Sequence, residues 1–325
     1  MKILFVTSRY PTPATPGNSP ALVQQRQSLE RLGHEVDVLL IPSTLGKRAY
    51  GTAIPRLIAR TMRTSYDVVH AHYGYFVALV SLLRYRAPVV ITFRGSDVLD
   101  ASQRSLSCFT ARRAAASIVM TLEMKRVLGV PDKTTVAPYG VDTELFAPQP
   151  VQAARQALGL PLDAPLILFP YDPARPEKRY DLVEQAFAQV KAALPGARIV
   201  TVFGQPHERI VAYMSACDAM VLTSDHEGAP TAIREAMACN LPIVSVDVGD
   251  VAALIAGLDQ CCVVDREPGS IAERLIHVLS FSKRSNGRAA AQTLSLEHVA
   301  RQVESVYRSV VRASPATAVK RLGNP

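Results

Sequence analysis

Two glutamates with seven residues between them, Glu227 and Glu235, lie in Ser224-Asp225-His226-Glu227-Gly228-Ala229-Pro230-Thr231-Ala232-Ile233-Arg234-Glu235. The residues before them read as a strand over 219–223 and those after as a helix over 230–238. Pro230 suits a first helical turn, where its missing N–H removes a donor that has no intrahelical partner anyway. The unpaired N–H groups around Ala229 to Ala232 would then point at the strand end, and with the helix dipole they make an anion site suited to a diphosphate. Gly228, Ala229, Pro230 and Thr231 are the candidate contacts. Two carboxylates so placed can bracket a ligand, one on sugar hydroxyls and one on a ribose diol. The spacing alone equally fits a solvated glutamate beside an ordinary helix N-terminus.

Elements able to carry such a loop recur along the chain. At 325 residues it is long for one core and fits two α/β domains of roughly 150 residues each. With 48% hydrophobic and 20% charged residues, it is a folding sequence and not a disordered one. Strands are expected over 3–7, 36–41, 68–69, 88–93, 117–121 and 135–137, and helices over 21–32, 54–62 and 76–83. A loop rich in Pro and small polar residues fills 10–20, and Gly33 closes the first helix. Residues 145–150, Leu-Phe-Ala-Pro-Gln-Pro, read as a linker. Alternation then restarts, with strands over 166–169, 198–203, 219–223 and 243–246 and helices over 181–194, 209–216, 230–238 and 271–279. An amphipathic helix over 296–312 and a polar tail over 313–325 complete the chain. The expected organisation is thus α/β, with domains over 1–147 and 148–295 and parallel, doubly wound sheets. Such sheets bind ligands where strand carboxyl ends lead into helix N-termini.

Charge is unevenly spread. Residues 1–150 hold 18 Lys and Arg against 10 Asp and Glu, while residues 151–325 hold 18 against 18, so the whole net charge of +8 sits in the first half. A basic half suggests an anionic partner. Arg56, Arg60 and Arg63 fall at i, i+4 and i+7 behind Lys47 and Arg48, which makes one helix face basic; a plain solvated face is the alternative. Aromatic residues are only 6% and no recognition motif accompanies the charge, which argues against nucleic acid. No run of about 18 apolar residues offers a membrane span. The apolar run at the N-terminus is too short for a signal peptide. Five cysteines without a C-x-x-C pair read as reduced thiols, neither a disulfide frame nor a zinc site. The G-x-G-x-x-G and G-x-x-x-x-G-K-[ST] patterns are missing, which removes most support for a nicotinamide dehydrogenase or an NTPase.

Residues 227–244, of pattern E-G-x-P-x4-E-A-M-A-C-x-L-P-I-V, resemble the signature of retaining GT-B fold glycosyltransferases of family GT4 (glycosyltransferase group 1). Residues 136–146, Val-Ala-Pro-Tyr-Gly-Val-Asp-Thr-Glu-Leu-Phe, are similar to the family's interdomain P-N-G-V-D-x-x-x-F. Residues 173–179, Pro-Ala-Arg-Pro-Glu-Lys-Arg, resemble its G-R-x-x-x-x-K-G phosphate loop. Gly33-His34-Glu35-Val36, Val69-His70-Ala71-His72 and Thr92-Phe93-Arg94-Gly95-Ser96-Asp97 match landmarks of the first domain, the last resembling T-x-H-G-S-D.

The resemblance covers nearly the whole chain and implies two Rossmann-like domains facing across a cleft. The first would take an acceptor and the second a nucleotide sugar, with the last helix crossing back to the first. It implies that Lys178 neutralises the departing diphosphate with an Arg whose usual place holds Tyr171 and Asp172; Arg175 and Arg179 are the two replacements. Glu235 maps onto the ribose carboxylate and Glu227 onto the one near the donor sugar, neither as a nucleophile. Retention would come from same-face attack, the leaving phosphate assisting deprotonation of the acceptor. Cationic side chains and the helix N-terminus stand in for a metal, consistent with the lack of a D-x-D pair beside the sugar site. His72 falls where the family carries a cleft histidine near the reacting centre. Gly17 and Asn18 replace the usual Gly-Gly loop. Arg94 stands where histidine is common, either holding an anionic group or pairing with Asp97. Pro206 and His207 are candidates for the wall of the base pocket. Arg56, Arg60 and Arg63 resemble the basic surface by which related enzymes touch anionic membranes.

The implied activity is metal-independent, cofactor-free transfer of a hexosyl-type group from a nucleotide diphosphate sugar to a glycan or lipid-linked acceptor. The implied setting is surface polysaccharide synthesis by a cytoplasmic enzyme, peripheral on the inner face of the cytoplasmic membrane. A GT-B nucleotide-sugar epimerase or hydrolase, and a non-catalytic binding protein of the same fold, are the rival readings.

Overall fold

A computed structural model describes residues 1–13, 15, 18–42, 46, 48–84 and 86–313. The chain forms two compact units. One is Met1–Gly140 together with the helix Leu296–Arg312, and the other is Val141–Ser295.

In the first unit, β1 (Lys2–Thr7), β2 (Glu35–Leu40), β3 (Val68–His72), β4 (Val89–Thr92), β5 (Ala116–Val119) and β6 (Thr134–Val136) form one parallel sheet in the order β2-β1-β3-β4-β5-β6. In the second, β7 (Leu166–Phe169), β8 (Arg198–Thr201), β9 (Ala219–Leu222), β10 (Ile243–Val246) and β11 (Cys262–Val264) form another, ordered β11-β10-β9-β7-β8. The central strands are unbroken apolar runs, Leu-Ile-Leu-Phe in β7 and Ala-Met-Val-Leu in β9, buried throughout. Such runs need cover on both faces, which strand–helix alternation supplies. Strand order reverses between β1 and β3 and again between β7 and β9, so each sheet has its switch-point crevice at those carboxyl ends.

The helix Leu296–Arg312 buries Leu296, Val299, Ala300, Val303, Val306, Tyr307 and Val310, spaced three and four apart. From Val299 onward they join Ile3, Phe5, Val68, Val90 and Ile118 in one core of the first unit.

The structure moves several expected boundaries. The division falls between Gly140 and Val141 and not at 147/148, because Val141 and Phe146 are buried in a core of the second unit. Pro150 is no linker residue: it precedes the helix Val151–Leu158 directly. The helix expected over 54–62 runs Arg48–Arg63 through Pro55; its buried stripe starts with the small Ala49 and Ala53, which leave little apolar signal. β3 extends to His72, placing both histidines on a strand. The helix Ala101–Arg113 went unforeseen because Ala-Ser-Gln-Arg-Ser-Leu-Ser-Cys-Phe-Thr-Ala-Arg-Arg has no apolar period. Its ends explain it: the Asp100 carboxylate accepts the Ser102 N–H at 2.9 Å, and Arg112 and Arg113 complement the dipole in the last turn. Of the expected tail, only Ala313 lies within the described residues. Among the described residues, no helix is long and apolar enough to cross a membrane.

Candidate functional site

At the switch point of the second unit, the segments that follow β7 and β9 are tied together through their backbones. The Thr223 hydroxyl donates to the carbonyls of Lys178 (2.8 Å) and Arg179 (3.1 Å), and the Asp225 N–H donates to the Glu177 carbonyl (2.9 Å). These links carry Lys178 to Glu227, Nζ to Oε1 at 2.5 Å, with the two side chains 6% and 15% exposed. Oε1 also accepts from the Ser224 hydroxyl at 2.9 Å. The Lys178 ammonium lies 4.0 Å from the centre of the Tyr171 ring, whose phenol burial holds well above its usual range. The lysine is thus held on its other side by an aromatic face.

Directly after this pair comes the helix Thr231–Ala238. It has Pro230 at its N-cap, whose ring makes no capping hydrogen bond, which leaves the leading N–H groups to a ligand. Glu235, on the same helix, has no hydrogen bond or ion pair to its carboxylate among the described residues, and burial pushes its carboxyl up to about 7. Arg234 beside it is 1% exposed, pairs with Asp250 and donates to the Pro230 carbonyl at 3.2 Å. Gly249 has φ +61°, and a Cβ there would stand 2.8 Å from the Gly228 carbonyl oxygen. The turn carrying Asp250 therefore lies hard against the Glu227–Gly228 backbone.

The two candidate phosphate arginines have other partners. Arg175 pairs with Glu177 at 2.5 Å on an exposed surface. Arg179, in the left-handed region at φ +53°, pairs with Asp181 (2.9 Å) and Asp225 (3.1 Å). Asp225 also takes Arg266 at 2.6 Å, a cation that sequence reading had passed over.

In the first unit, β3 ends in His72 and β4 is followed by Arg94. His70 is fully buried, with Nδ1 2.6 Å from the Tyr307 hydroxyl and Nε2 2.7 Å from Thr92 Oγ1; burial pushes it down to about 3. His72 is 1% exposed, and its ring centre lies 4.0 Å from that of His70, tilted, and 4.3 Å from that of Phe5, edge-on. Burial, His70 and Arg94 hold it well below the usual histidine range, so it is a neutral imidazole. The expected choice for Arg94, an anion or Asp97, is narrowed here. Asp97 accepts backbone N–H bonds from Gly74 (2.7 Å), Arg94 (2.9 Å) and Gly95 (2.9 Å), and forms no ion pair with the Arg94 guanidinium. Asp97 shapes the loop instead of lining it. Gly74 has no alternative, since a Cβ there would sit 2.2 Å from the Phe93 ring.

Comparison with known proteins follows the same division. The family model described as Glycosyltransferase Family 4 matches residues 6–145, and that described as Glycosyl transferases group 1 matches residues 181–292. The chain belongs to the group 1, family 4 glycosyltransferases. A relative, TuaC of Bacillus subtilis strain 168, whose name ties it to teichuronic acid biosynthesis, is 27% identical over 348 residues, covering 85% of this chain and 88% of that protein. A D-inositol 3-phosphate glycosyltransferase of Acidothermus cellulolyticus is 24% identical over 334 residues, covering 85% and 74%. Among solved structures, a sucrose-phosphate synthase from Thermosynechococcus elongatus matches with TM-score 0.79 at 18% identity, over 97% of this chain and 100% of that one. HepE of Anabaena in complex with UDP matches with TM-score 0.71 at 18% identity, over 95% and 100%. The fold is GT-B, two Rossmann-like parallel-sheet domains.

In this glycosyltransferase, then, Lys178 and Glu227 meet directly, and Gly228, Ala229, Pro230, Thr231 and Glu235 follow on one loop and helix. Pro206 caps the helix His207–Ala216, and the His207 ring packs edge-on to Phe146 at 5.8 Å, a packing contact of the second unit. Asn18 donates its N–H to the Thr15 carbonyl at 3.2 Å, while Gly17 and Lys47 lie outside the described residues. Arg56 and Arg63 are exposed, but Arg60 leaves the expected basic face: it bonds the Tyr66 hydroxyl (2.9 Å) and pairs with Asp37 (3.3 Å), which anchors its helix to β2. The residues sequence reading missed are Tyr171, Thr223, Arg234, Gly249, Asp250 and Arg266. Of these, only the Val-Gly-Asp turn after β10 carried a sequence signal, a glycine between a strand and a helix.

Proposed function

We propose that this glycosyltransferase moves a sugar, with retention, from a nucleotide diphosphate sugar to a glycan or lipid-linked acceptor in surface polysaccharide synthesis. The observation that carries the donor assignment is the juxtaposition of the Lys178–Glu227 pair with an uncapped helix N-terminus and the unpartnered carboxyl of Glu235. The ribose diol donates to Glu235, and the diphosphate lies on the first-turn N–H groups from Thr231 onward. An arriving diphosphate competes with Glu227 for Lys178; the freed Glu227 carboxylate then accepts from sugar hydroxyls. HepE, a GT-B neighbour solved with UDP and with UDP-glucose, supports a donor of this class.

In the reaction, the bond between the sugar C1 and the phosphate oxygen breaks. The acceptor oxygen bonds to C1 on the same face, and its proton passes to the leaving phosphate. Lys178 and the helix N-terminus balance the developing diphosphate charge without a metal. Of the two candidate arginines, Arg179 stands nearer this chemistry, since its guanidinium reaches Asp225, two residues before Glu227, at 3.1 Å. The first unit receives the acceptor through the loops after β3 and β4. Arg56 and Arg63 rest on anionic lipid at the inner face of the cytoplasmic membrane.

The test is thermal stabilisation of the wild type and Glu235→Ala by UDP, GDP, ADP and NAD, followed by donor turnover with and without acceptor. A ligand at about 100 times its Kd adds roughly 2.7 kcal/mol. One nucleoside diphosphate should stabilise the wild type alone. Stabilisation by none, or by NAD only, overturns the reading; donor consumption independent of acceptor would make the protein a hydrolase or epimerase.

A further inference from the structure

The carboxyl end of the first sheet gathers hydrogen-bond donors without acceptors. Both ring nitrogens of His72, Nε and Nη2 of Arg94 and the hydroxyl of Tyr139 are buried, and none has a hydrogen-bond partner. The groups belong together: the Arg94 guanidinium lies 5.3 Å from the centre of the Tyr139 ring, and its charge acts on both His72 and Tyr139. His72 and Thr92 are paired across β3 and β4, and Arg94 follows Thr92 by two residues. The nearby carboxylate is Asp97, which feels the Arg94 charge but spends its hydrogen bonds on backbone N–H groups and accepts none from the guanidinium. Among the described residues Arg94 forms no ion pair. Buried polar groups in folded proteins are nearly always satisfied, so five such atoms gathered in one place call for a partner.

Most of what this cluster offers is a donor. Arg94 is donor-only and permanently charged, with a flat fork that matches a carboxylate or a phosphate. The Tyr139 hydroxyl can donate. The neutral His72 ring gives one N–H and keeps one lone pair. Such a set suits neither a neutral sugar, whose hydroxyls offer no charge, nor a cation. It suits an oxyanion.

We propose that His72, Arg94 and Tyr139 form an oxyanion subsite, so that the acceptor of this glycosyltransferase carries a carboxylate or a phosphate. The inference rests on the reading that the first unit takes the acceptor, and it names the acceptor's chemical class. Arg94 is its specificity-determining residue and Tyr139 positions the guanidinium.

The test is binding of glucuronate, glucose 6-phosphate and neutral methyl glucoside to the full chain, by calorimetry and thermal shift. Wild type, Arg94→Gln, Arg94→Lys and Tyr139→Phe are compared, with a nucleoside diphosphate as control ligand. One or both charged sugars should bind at least ten-fold tighter than methyl glucoside, and which of them does identifies a carboxylate or a phosphate acceptor. Arg94→Gln should lose that preference, Arg94→Lys should keep part of it, and nucleoside diphosphate affinity should stay within about two-fold of wild type. Tyr139→Phe, which removes one oxygen, should cost several-fold and gives the reading if Arg94→Gln does not fold. Equal binding of charged and neutral sugars overturns the proposal and leaves ordered water as the partner of these groups. So does an Arg94→Gln variant that binds like wild type, or one that weakens only the nucleoside diphosphate. A nucleoside diphosphate that binds nowhere would instead sink the donor reading and leave this one standing on the charged sugars.

Discussion

Removing the Arg234 guanidinium tests how the donor loop is held. Arg234 is 1% exposed and its partner Asp250 has a side chain 16% exposed, so Arg234→Met leaves a largely desolvated carboxylate with nothing opposite it. Breaking a buried pair in this way costs about 3–5 kcal/mol; residual solvent at Asp250 places the loss near the lower end, ~3 kcal/mol. For a unit of this size, residues 141–295, that is a fall of roughly 6–12 °C in the midpoint of its unfolding. The sign of the pH dependence follows from the carboxyl. Burial raises the Asp250 pKa and Arg234 lowers it, so without Arg234 it climbs further. A carboxyl whose folded pKa lies above its unfolded value binds extra protons in the native state, and the native state gains as pH falls. The deficit of Arg234→Met should therefore be greatest near about pH 8 and shrink toward about pH 5. Scanning calorimetry across that range measures it. Arg234→Met combined with Asp250→Leu should recover most of the loss, since a matched apolar pair replaces a buried ion pair at little cost. A single variant within about 1 kcal/mol of wild type at the alkaline end, or a deficit flat with pH, would refute the argument.

Glu235→Gln acts through a raised carboxyl: between the usual 4.5 and about 7 the native state alone holds the proton, so wild type loses stability as pH rises across that window. The variant should lack this slope and be the more stable protein at about pH 8, by up to about 3 kcal/mol at 1.36 kcal/mol per unit; parallel pH curves would count against it. Tyr307→Phe strips the hydroxyl from buried His70 Nδ1 and should cost the first unit about 1–3 kcal/mol in denaturant unfolding, with no change in nucleoside diphosphate binding. Gly249→Ala puts a methyl 2.8 Å from the Gly228 carbonyl at a positive φ; it should weaken nucleoside diphosphate binding in calorimetry while Tyr307-dependent stability is unaltered. Lys178→Ala should lower turnover by a factor on the order of 100–1,000, as expected for loss of a preorganised charge on the leaving group, and a loss under ten-fold would remove Lys178 from that role.

Why some of this was readable and some was not comes down to the range over which each signal acts. Leu166–Phe169 and Ala219–Leu222 announce buried parallel strands because a run of apolar residues has no other stable place. Glu227 and Lys178 were legible as residue types, yet their meeting depends on Thr223 and Asp225, just after β9, holding the backbone of 177–179 from more than forty residues away. Arg234 was hidden for the opposite reason: it stands among Ile233, Ala236 and Met237, where helical period predicts core, and its counter-charge sits on a turn after β10. Arg175 and Arg179 were equal from spacing, and only their partners separate them, one spread on the surface with Glu177 and one shared between Asp181 and Asp225, the latter on the loop that carries Glu227. Arg94 is the case where local reading and structure together say more than either. Position alone could mark it only as an arginine where histidine is common. Once Asp97 is seen to be filled by backbone N–H groups, Nε and Nη2 of the guanidinium are left without a hydrogen-bond partner, which is the ground on which the oxyanion proposal stands.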